Sequence, residues 1–103
     1  MNNAIDKRLE INELLRIYGA LLTPRQREIM LRRYTDDCSF GELAIEFNIT
    51  RQAVLNFENK AVRSLCKYEK RLGVYEREQK IRNLFEKTFI DEHARTALYE
   101  VFG

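Results

Sequence analysis

The sequence predicts an all-α protein. Apolar residues recur at intervals of three and four along most of the chain, which is the period of an amphipathic helix. Two capping boxes, Thr23 with Gln26 and Ser39 with Glu42, mark the starts of two helices. The 103 residues include one proline and four glycines, and these do not cluster. We therefore expect a single all-helical domain over residues 1 to 103, without a flexible linker or an internal repeat.

The first helix is predicted from about Ala4 to Leu22. Its apolar residues follow a helical period, and they are Ile5, Leu9, Leu14, Leu15, Tyr18, Leu21 and Leu22. Ile11 and Ile17 widen this apolar surface beyond a single stripe. Two interpretations stay open: the helix packs on a partner as well as on its own domain, or it is deeply buried.

The second helix is predicted to begin after Thr23. Threonine caps a helix, and Pro24 suits the first helical position because its missing amide has no partner there. The helix should end near Tyr34. Its four arginines are Arg25, Arg27, Arg32 and Arg33. They are suited to holding a DNA backbone, and a solvated face is the commoner alternative.

Residues 39 to 57 have the pattern of two short helices joined by a tight turn. Ser39 caps the first of them, and Ala44 is small where the second helix must cross close by. Asn48 occupies the turn position that needs a left-handed backbone, which asparagine tolerates better than most residues. Thr50 is suited to capping the second helix. These features together predict a helix-turn-helix motif.

The second helix of the motif is predicted to separate an apolar face from a polar one. The apolar positions are Val54, Phe57, Ala61, Leu65, Tyr68 and Leu72. The opposite side carries Gln52, Leu55, Asn56, Asn59 and Arg63, with Arg51 at the edge. Glutamine, asparagine and arginine can make paired hydrogen bonds to base edges, so this face is suited to reading the major groove of DNA. A solvated polar side is the alternative for the polar residues alone.

Nine residues are therefore predicted to contact double-stranded DNA: Thr50, Arg51, Gln52, Leu55, Asn56, Asn59, Lys60, Arg63 and Lys67. The first turns of the helix should face base edges, and Lys60, Arg63 and Lys67 should lie where phosphates pass. Residues 51 to 87 carry ten basic and five acidic residues, whereas residues 1 to 50 carry seven and eight. A polyanion should therefore meet this part of the chain first.

A helical extension is predicted to follow the helix-turn-helix core at about residues 22 to 72. Gly73 should end or kink the long helix. One helix should then run from about 74 to 88, and Asp91 is suited to capping a last one. Residues 73 to 103 contain five aromatic residues, too much apolar surface to leave in water. We expect a homodimer in which this extension and the first helix meet.

Other classes of function find little support in the composition. Cys38 and Cys66 form no metal-binding pair, and the first ten residues lack the apolar run of a secretion signal, so a reduced, cytoplasmic protein is expected. No apolar stretch reaches the ~20 residues that cross a bilayer, which predicts no membrane span. The adjacent Asp36 and Asp37 are interpreted as a polar turn and not as a metal site. We find no glycine-rich phosphate loop and no nucleophile with a base, so no enzyme, cofactor or metal is predicted.

The region from 22 to 72, with LTPRQREIMLRRY, SFGELAIEFNITRQAV and KAVRSLCKYEKRL, resembles region 4 of bacterial sigma factors, the C-terminal helix-turn-helix segment that contacts promoter DNA. The resemblance to the small YlxM family is closer. It is carried by TRQAV at 50 to 54, by YEKRLGVYE at 68 to 76, and by the overall length. This resemblance implies a DNA-binding domain of the helix-turn-helix, winged-helix-like kind and a role in transcription regulation.

The same resemblance implies an alternative function. The gene of this family typically sits beside that of the signal recognition particle protein, which suggests a component or regulator of that pathway acting through protein or RNA contacts. Leu55 and Cys66, on the otherwise polar side of the long helix, support such an interaction. Two departures from the family pattern bear on DNA contacts. Asn48 replaces the usual turn glycine, and Leu55 and Phe57 occur in a helix that is commonly more polar.

Overall fold

The computed structural model describes residues 4 to 87 together with 96, 99 and 100, and side chains from Lys7 onward. Its helices are α1 (Ala4–Tyr18), α2 (Pro24–Tyr34), α3 (Phe40–Phe47), α4 (Arg51–Leu72) and α5 (Val74–Lys87), with a 3-10 turn at Gly19–Leu21. No strand occurs within the described ranges, and the all-α prediction is confirmed. The chain divides into two compact units, Met1–Leu72 and Gly73–Gly103. The prediction of one domain over residues 1 to 103 stays a prediction.

The first helix is shorter than predicted. It ends at Tyr18 and not near Leu22, because the chain tightens into a 3-10 turn in which the Leu22 amide donates to the Gly19 carbonyl at 3.1 Å. Thr23 then adopts an extended backbone and caps α2. Its hydroxyl accepts a hydrogen bond from the Gln26 amide at 3.2 Å, and its own amide donates to the Gln26 side chain at 3.3 Å. The predicted capping box is confirmed.

Most of the predicted apolar face of the first helix is confirmed, since Leu14, Leu15, Tyr18 and Leu22 are buried. Its core residues are Ile11, Leu14, Leu15 and Tyr18. Ile11 thus belongs to the main stripe, whereas Leu9 is 59% exposed and Leu21, in the 3-10 turn, is 55% exposed. Leu9 precedes Ile11 by two residues, a rotation of about 200° around the helix. Because apolar residues occur on both sides of α1, their period alone did not show that Ile11 is buried and Leu9 exposed.

The helix-turn-helix core takes one fully buried residue from each of three helices. Ile29 of α2, Leu43 of α3 and Val54 of α4 are all 0% exposed. The residues packed around them are Cys38, Phe40, Ala44, Phe47, Ile49 and Phe57. Leu72, which was predicted on the apolar face of α4, is 51% exposed. It is the last residue of that helix, past the core, so this position was predicted wrongly.

The turn between α3 and α4 has the predicted conformation. Asn48 is left-handed, with φ 53° and ψ 49°. This geometry lets the Ile49 amide donate to the Ala44 carbonyl at 3.0 Å. Thr50 then caps α4, since its hydroxyl accepts from the Ala53 amide at 3.0 Å. The turn therefore fixes the start of α4 relative to α3.

A test of the turn follows from its φ angle. Asn48→Gly is expected to raise the free energy of unfolding by ~0.5–1 kcal/mol, and Asn48→Val to lower it by ~1–2 kcal/mol, because a β-branched side chain is strained at positive φ. Urea denaturation followed by circular dichroism measures both. A valine variant as stable as the wild type would contradict the left-handed turn.

The second unit begins at Gly73, and α5 follows that residue in the chain. The long helix ends at Leu72 because Gly73 adopts a left-handed φ of 62°. Farther along, the rings of Phe85 and Tyr99 lie with centroids 5.2 Å apart. The last helix predicted from Asp91 falls largely outside the described residues. Within the part of the chain that the structure describes, no helix combines the length and apolarity that crossing a bilayer requires.

Candidate nucleic-acid interface

Eight of the nine predicted DNA-contact residues lie exposed, on α4 or at its start, and Leu55 is half-buried. Gln52, Asn56, Asn59 and Arg63 fall within an arc of ~60° around the helix, at about 100° per residue. Val54 is fully buried on the other side against α2 and α3. We call this exposed strip, with Lys60 and Lys67 beside it, the outer face of α4.

Two amides at the start of the outer face are linked to each other. The Gln52 side-chain nitrogen donates to the Asn56 carbonyl oxygen at 3.1 Å, across one helical turn. An amide NH2 carries two N–H donors, so Gln52 keeps a second N–H beside its carbonyl oxygen. One glutamine or asparagine needs both a donor and an acceptor to recognise adenine in the major groove.

Arg51 extends from α4 toward the first turn of α3. A Cβ built on Gly41 would lie 2.9 Å from an Arg51 guanidinium nitrogen, so the absence of a side chain at Gly41 makes room for this cation. The amides at the start of a helix also attract anions. A phosphate that met Arg51 would therefore lie beside the start of α3. Sequence patterns gave no indication of this contact.

The charge on the outer face is positive. Lys60, Arg63 and Lys67 are exposed, and none of them forms an ion pair with a residue that the structure describes. Both carboxylates of α4 are turned away from this face and bound by tyrosines. The Tyr18 hydroxyl donates to Glu69 at 2.7 Å, and Glu58 is buried beside α2. Among the described residues, neither carboxylate of α4 forms an ion pair with these three cations, so the strip is basic.

Three of the four arginines of α2 make contacts within the domain. Arg32 donates to the Glu46 carboxylate at 2.6 Å. The Arg25 guanidinium carbon lies 4.9 Å from the ring centre of Phe47. Arg33 donates to a backbone carbonyl in the loop before α3 at 3.2 Å. These contacts join α2 to α3, so these three arginines contribute to the structure of the motif.

Glu58 is the residue of this region that sequence reasoning missed. It is 8% exposed, and one carboxylate oxygen accepts a hydrogen bond of 2.5 Å from the Tyr34 hydroxyl. The Arg33 Nε forms an ion pair with the same oxygen at 3.9 Å, beyond hydrogen-bonding distance, and has no hydrogen-bond partner among the described residues. Glu58 follows Val54 by four residues and precedes Ala61 by three, so its position in the apolar stripe was a signal that it is buried. The Tyr34–Glu58 bond ties α4 to α2.

The Tyr34–Glu58 bond leads to a prediction about stability and pH. Burial, the hydrogen bond to Glu58 and the negative charge of that carboxylate raise the pKa of Tyr34 from 10.0 to about 12. Because the folded-state pKa is the higher one, this contribution to stability is complete below about pH 10 and is lost as the pH rises through about 12. Tyr34→Phe should lower the free energy of unfolding at pH 7 by ~1–3 kcal/mol, since Glu58 loses its donor.

Urea denaturation at pH 7 and through the alkaline range measures this effect. The wild type should lose more stability than Tyr34→Phe between pH 10 and 12, because only the wild type carries the Tyr34 hydroxyl. Equal stability at pH 7, together with parallel alkaline curves, would show that the bond contributes nothing.

Comparison with known proteins agrees with this geometry. A protein-family model described as "Putative helix-turn-helix protein, YlxM / p13 like" matches residues 5–100. The UPF0122 protein of Geobacillus sp. (strain WCH70) is 37% identical over 81% of this chain and 76% of the relative. The UPF0122 protein of Exiguobacterium sibiricum is 44% identical over 69% and 67%. The UPF0122 protein of Listeria innocua is 34% identical over 93% and 94%. The chain therefore belongs to the YlxM/p13-like family of helix-turn-helix proteins, UPF0122.

Proposed function

We propose that the protein binds double-stranded DNA through the outer face of α4, reads its sequence, and regulates transcription in the cytoplasm. On this proposal the protein acts by binding and not as an enzyme. Membership of a helix-turn-helix family supports nucleic-acid binding in general. The observation that carries the proposal further is the combination, on one exposed strip, of a linked amide pair and cations without ion pairs among the described residues. Amides read bases, and cations attract phosphates.

Two substitutions on the outer face separate reading from attraction. Gln52→Ala should reduce the binding free energy by ~1–3 kcal/mol for a preferred site selected from random duplexes, and by little for random DNA. Lys67→Ala should weaken both kinds of binding similarly and reduce the salt dependence by about one unit. Fluorescence anisotropy with both DNAs at several salt concentrations measures the two effects.

The matched control is Lys80→Ala, which removes an exposed cation from α5. It should leave both affinities close to those of the wild type. If Gln52→Ala and Lys67→Ala weaken all duplexes alike, the outer face only attracts DNA, and the sequence-reading part of the proposal is wrong.

We also propose a homodimer, which would present two motifs to one duplex. Support comes from Leu9 and Leu21, large apolar side chains that are 59% and 55% exposed in the first unit. Sedimentation equilibrium at micromolar concentration should give twice the 12.3 kDa of one chain. A mass that stays at one chain would contradict this part.

A further inference from the structure

A groove in the first unit lies between α1, α2 and α4, beside the outer face. Its volume is about 460 Å³, within the range of small-molecule sites. The residues that line it are Lys7, Ile11, Tyr34, Glu58, Asn59, Val62 and Arg63. Asn59 and Arg63 also belong to the outer face of α4.

The groove combines a buried carboxylate with flat, apolar surroundings. Glu58 accepts one hydrogen bond, from the Tyr34 hydroxyl, and its second oxygen has no hydrogen-bond donor among the described residues. An ionised carboxylate offers about four lone-pair positions, so this one can accept further N–H groups. Ile11, Val62 and the Tyr34 ring supply surfaces on which a planar group can pack.

Two cations and an amide complete the lining. Lys7 and Arg63 are exposed, and neither forms an ion pair with a residue that the structure describes. The Asn59 side chain carries both a donor and an acceptor. Arg63 follows Glu58 by five residues, a rise of about 7.5 Å along α4. The backbone positions of the carboxylate and the cation are thus separated along the helix axis.

We propose that this groove binds a small molecule with paired N–H donors at one end and an anionic group at the other, the chemistry of a guanine nucleotide. A simple anion is disfavoured by the Glu58 carboxylate, and a simple cation by Lys7 and Arg63. The N1–H and N2–H groups of guanine match a carboxylate with free lone pairs. The phosphate meets Lys7 and Arg63, and an α-amino acid, whose charges are close together, spans the separation poorly.

One consequence rests on the proposed function. Because Asn59 and Arg63 lie both in the groove and on the outer face, a bound nucleotide occupies side chains that DNA would use. Guanosine monophosphate should then weaken duplex binding. The binding of the nucleotide itself is independent of any role in DNA binding.

Isothermal titration calorimetry of the full chain with guanosine monophosphate, adenosine monophosphate and guanosine tests the site. Guanosine monophosphate should bind saturably, and adenosine monophosphate about tenfold more weakly, because adenine lacks the paired N–H edge. The double substitution Lys7→Ala with Arg63→Ala should lower the affinity for guanosine monophosphate about tenfold and leave the affinity for guanosine unchanged. Lys70→Ala removes an exposed cation two turns past Arg63, is the control, and should change neither.

Three results would overturn the site: no saturable binding of guanosine monophosphate, equal binding of the two nucleotides, or an equal loss with Lys70→Ala. The substitutions are at exposed positions, so the protein should stay folded, and circular dichroism checks this. Failure of duplex binding leaves these titrations interpretable, because they contain no DNA. If the nucleotide binds saturably but does not weaken duplex binding, the site stands and only the predicted competition with DNA is wrong.

Discussion

Replacing Leu43 with alanine should lower the free energy of unfolding by ~2–5 kcal/mol. Leu43 is 0% exposed and packs between Ile29 and Val54, so it joins α2, α3 and α4 at the centre of the motif. Truncation removes apolar burial from all three helices and leaves a cavity that only partly closes. Urea denaturation followed by far-ultraviolet circular dichroism measures the loss.

Ile45→Ala is the matched control for Leu43→Ala. Ile45 lies two residues farther along the same helix and is 84% exposed. Its truncation should change stability by no more than about 0.5 kcal/mol. Equal effects of the two substitutions would mean that α3 does not pack through Leu43, and the helical phase of the motif would be wrong.

The second large effect concerns DNA. Simultaneous replacement of Lys60, Arg63 and Lys67 by alanine should weaken duplex binding on the order of a hundredfold at low salt, if each lost phosphate contact costs ~1 kcal/mol. The slope of log affinity against log salt should fall by about three units. These cations have no ion pair among the described residues, so their full charge faces the polyanion. Fluorescence anisotropy over a salt series measures both quantities.

A control with the same change in net charge uses three exposed cations of α5: Lys80, Arg82 and Lys87. Their replacement by alanine should reduce the salt slope by less than about one unit, because only the long-range field changes. Equal losses in the two triple variants would mean that net charge alone determines binding. The outer face would then not be the interface.

The starts of the helices could be predicted because capping is local. Thr23 and Ser39 each form a complete capping box with a residue three positions later. The left-handed Asn48 was likewise visible, since few residues tolerate that backbone. The buried side of α4 could be predicted, because the opposite side of that helix is polar. For α1 the buried side was predicted through Leu14, Leu15 and Tyr18, but Leu9 and Ile11 were assigned wrongly because apolar residues occur on two sides of that helix.

The candidate site was predicted in part for the same reason. The exposure of Gln52 and Asn56 follows from their phase on α4, and their spacing of four residues is visible in the sequence. The burial of Glu58 depends on a hydroxyl of α2, so only the tertiary structure identifies its partner. The contact between Arg51 and Gly41 depends likewise on how closely α3 and α4 approach.

A side-by-side titration of the wild-type protein with a duplex DNA and with signal recognition particle RNA tests the central claim most directly. We expect tighter binding to the duplex, with at least one duplex sequence preferred about tenfold or more over random DNA, because paired amides read base edges only in an accessible major groove. Tighter binding to the RNA, with no preference among duplexes, would contradict DNA reading by α4 and favour the alternative role in the signal recognition particle pathway.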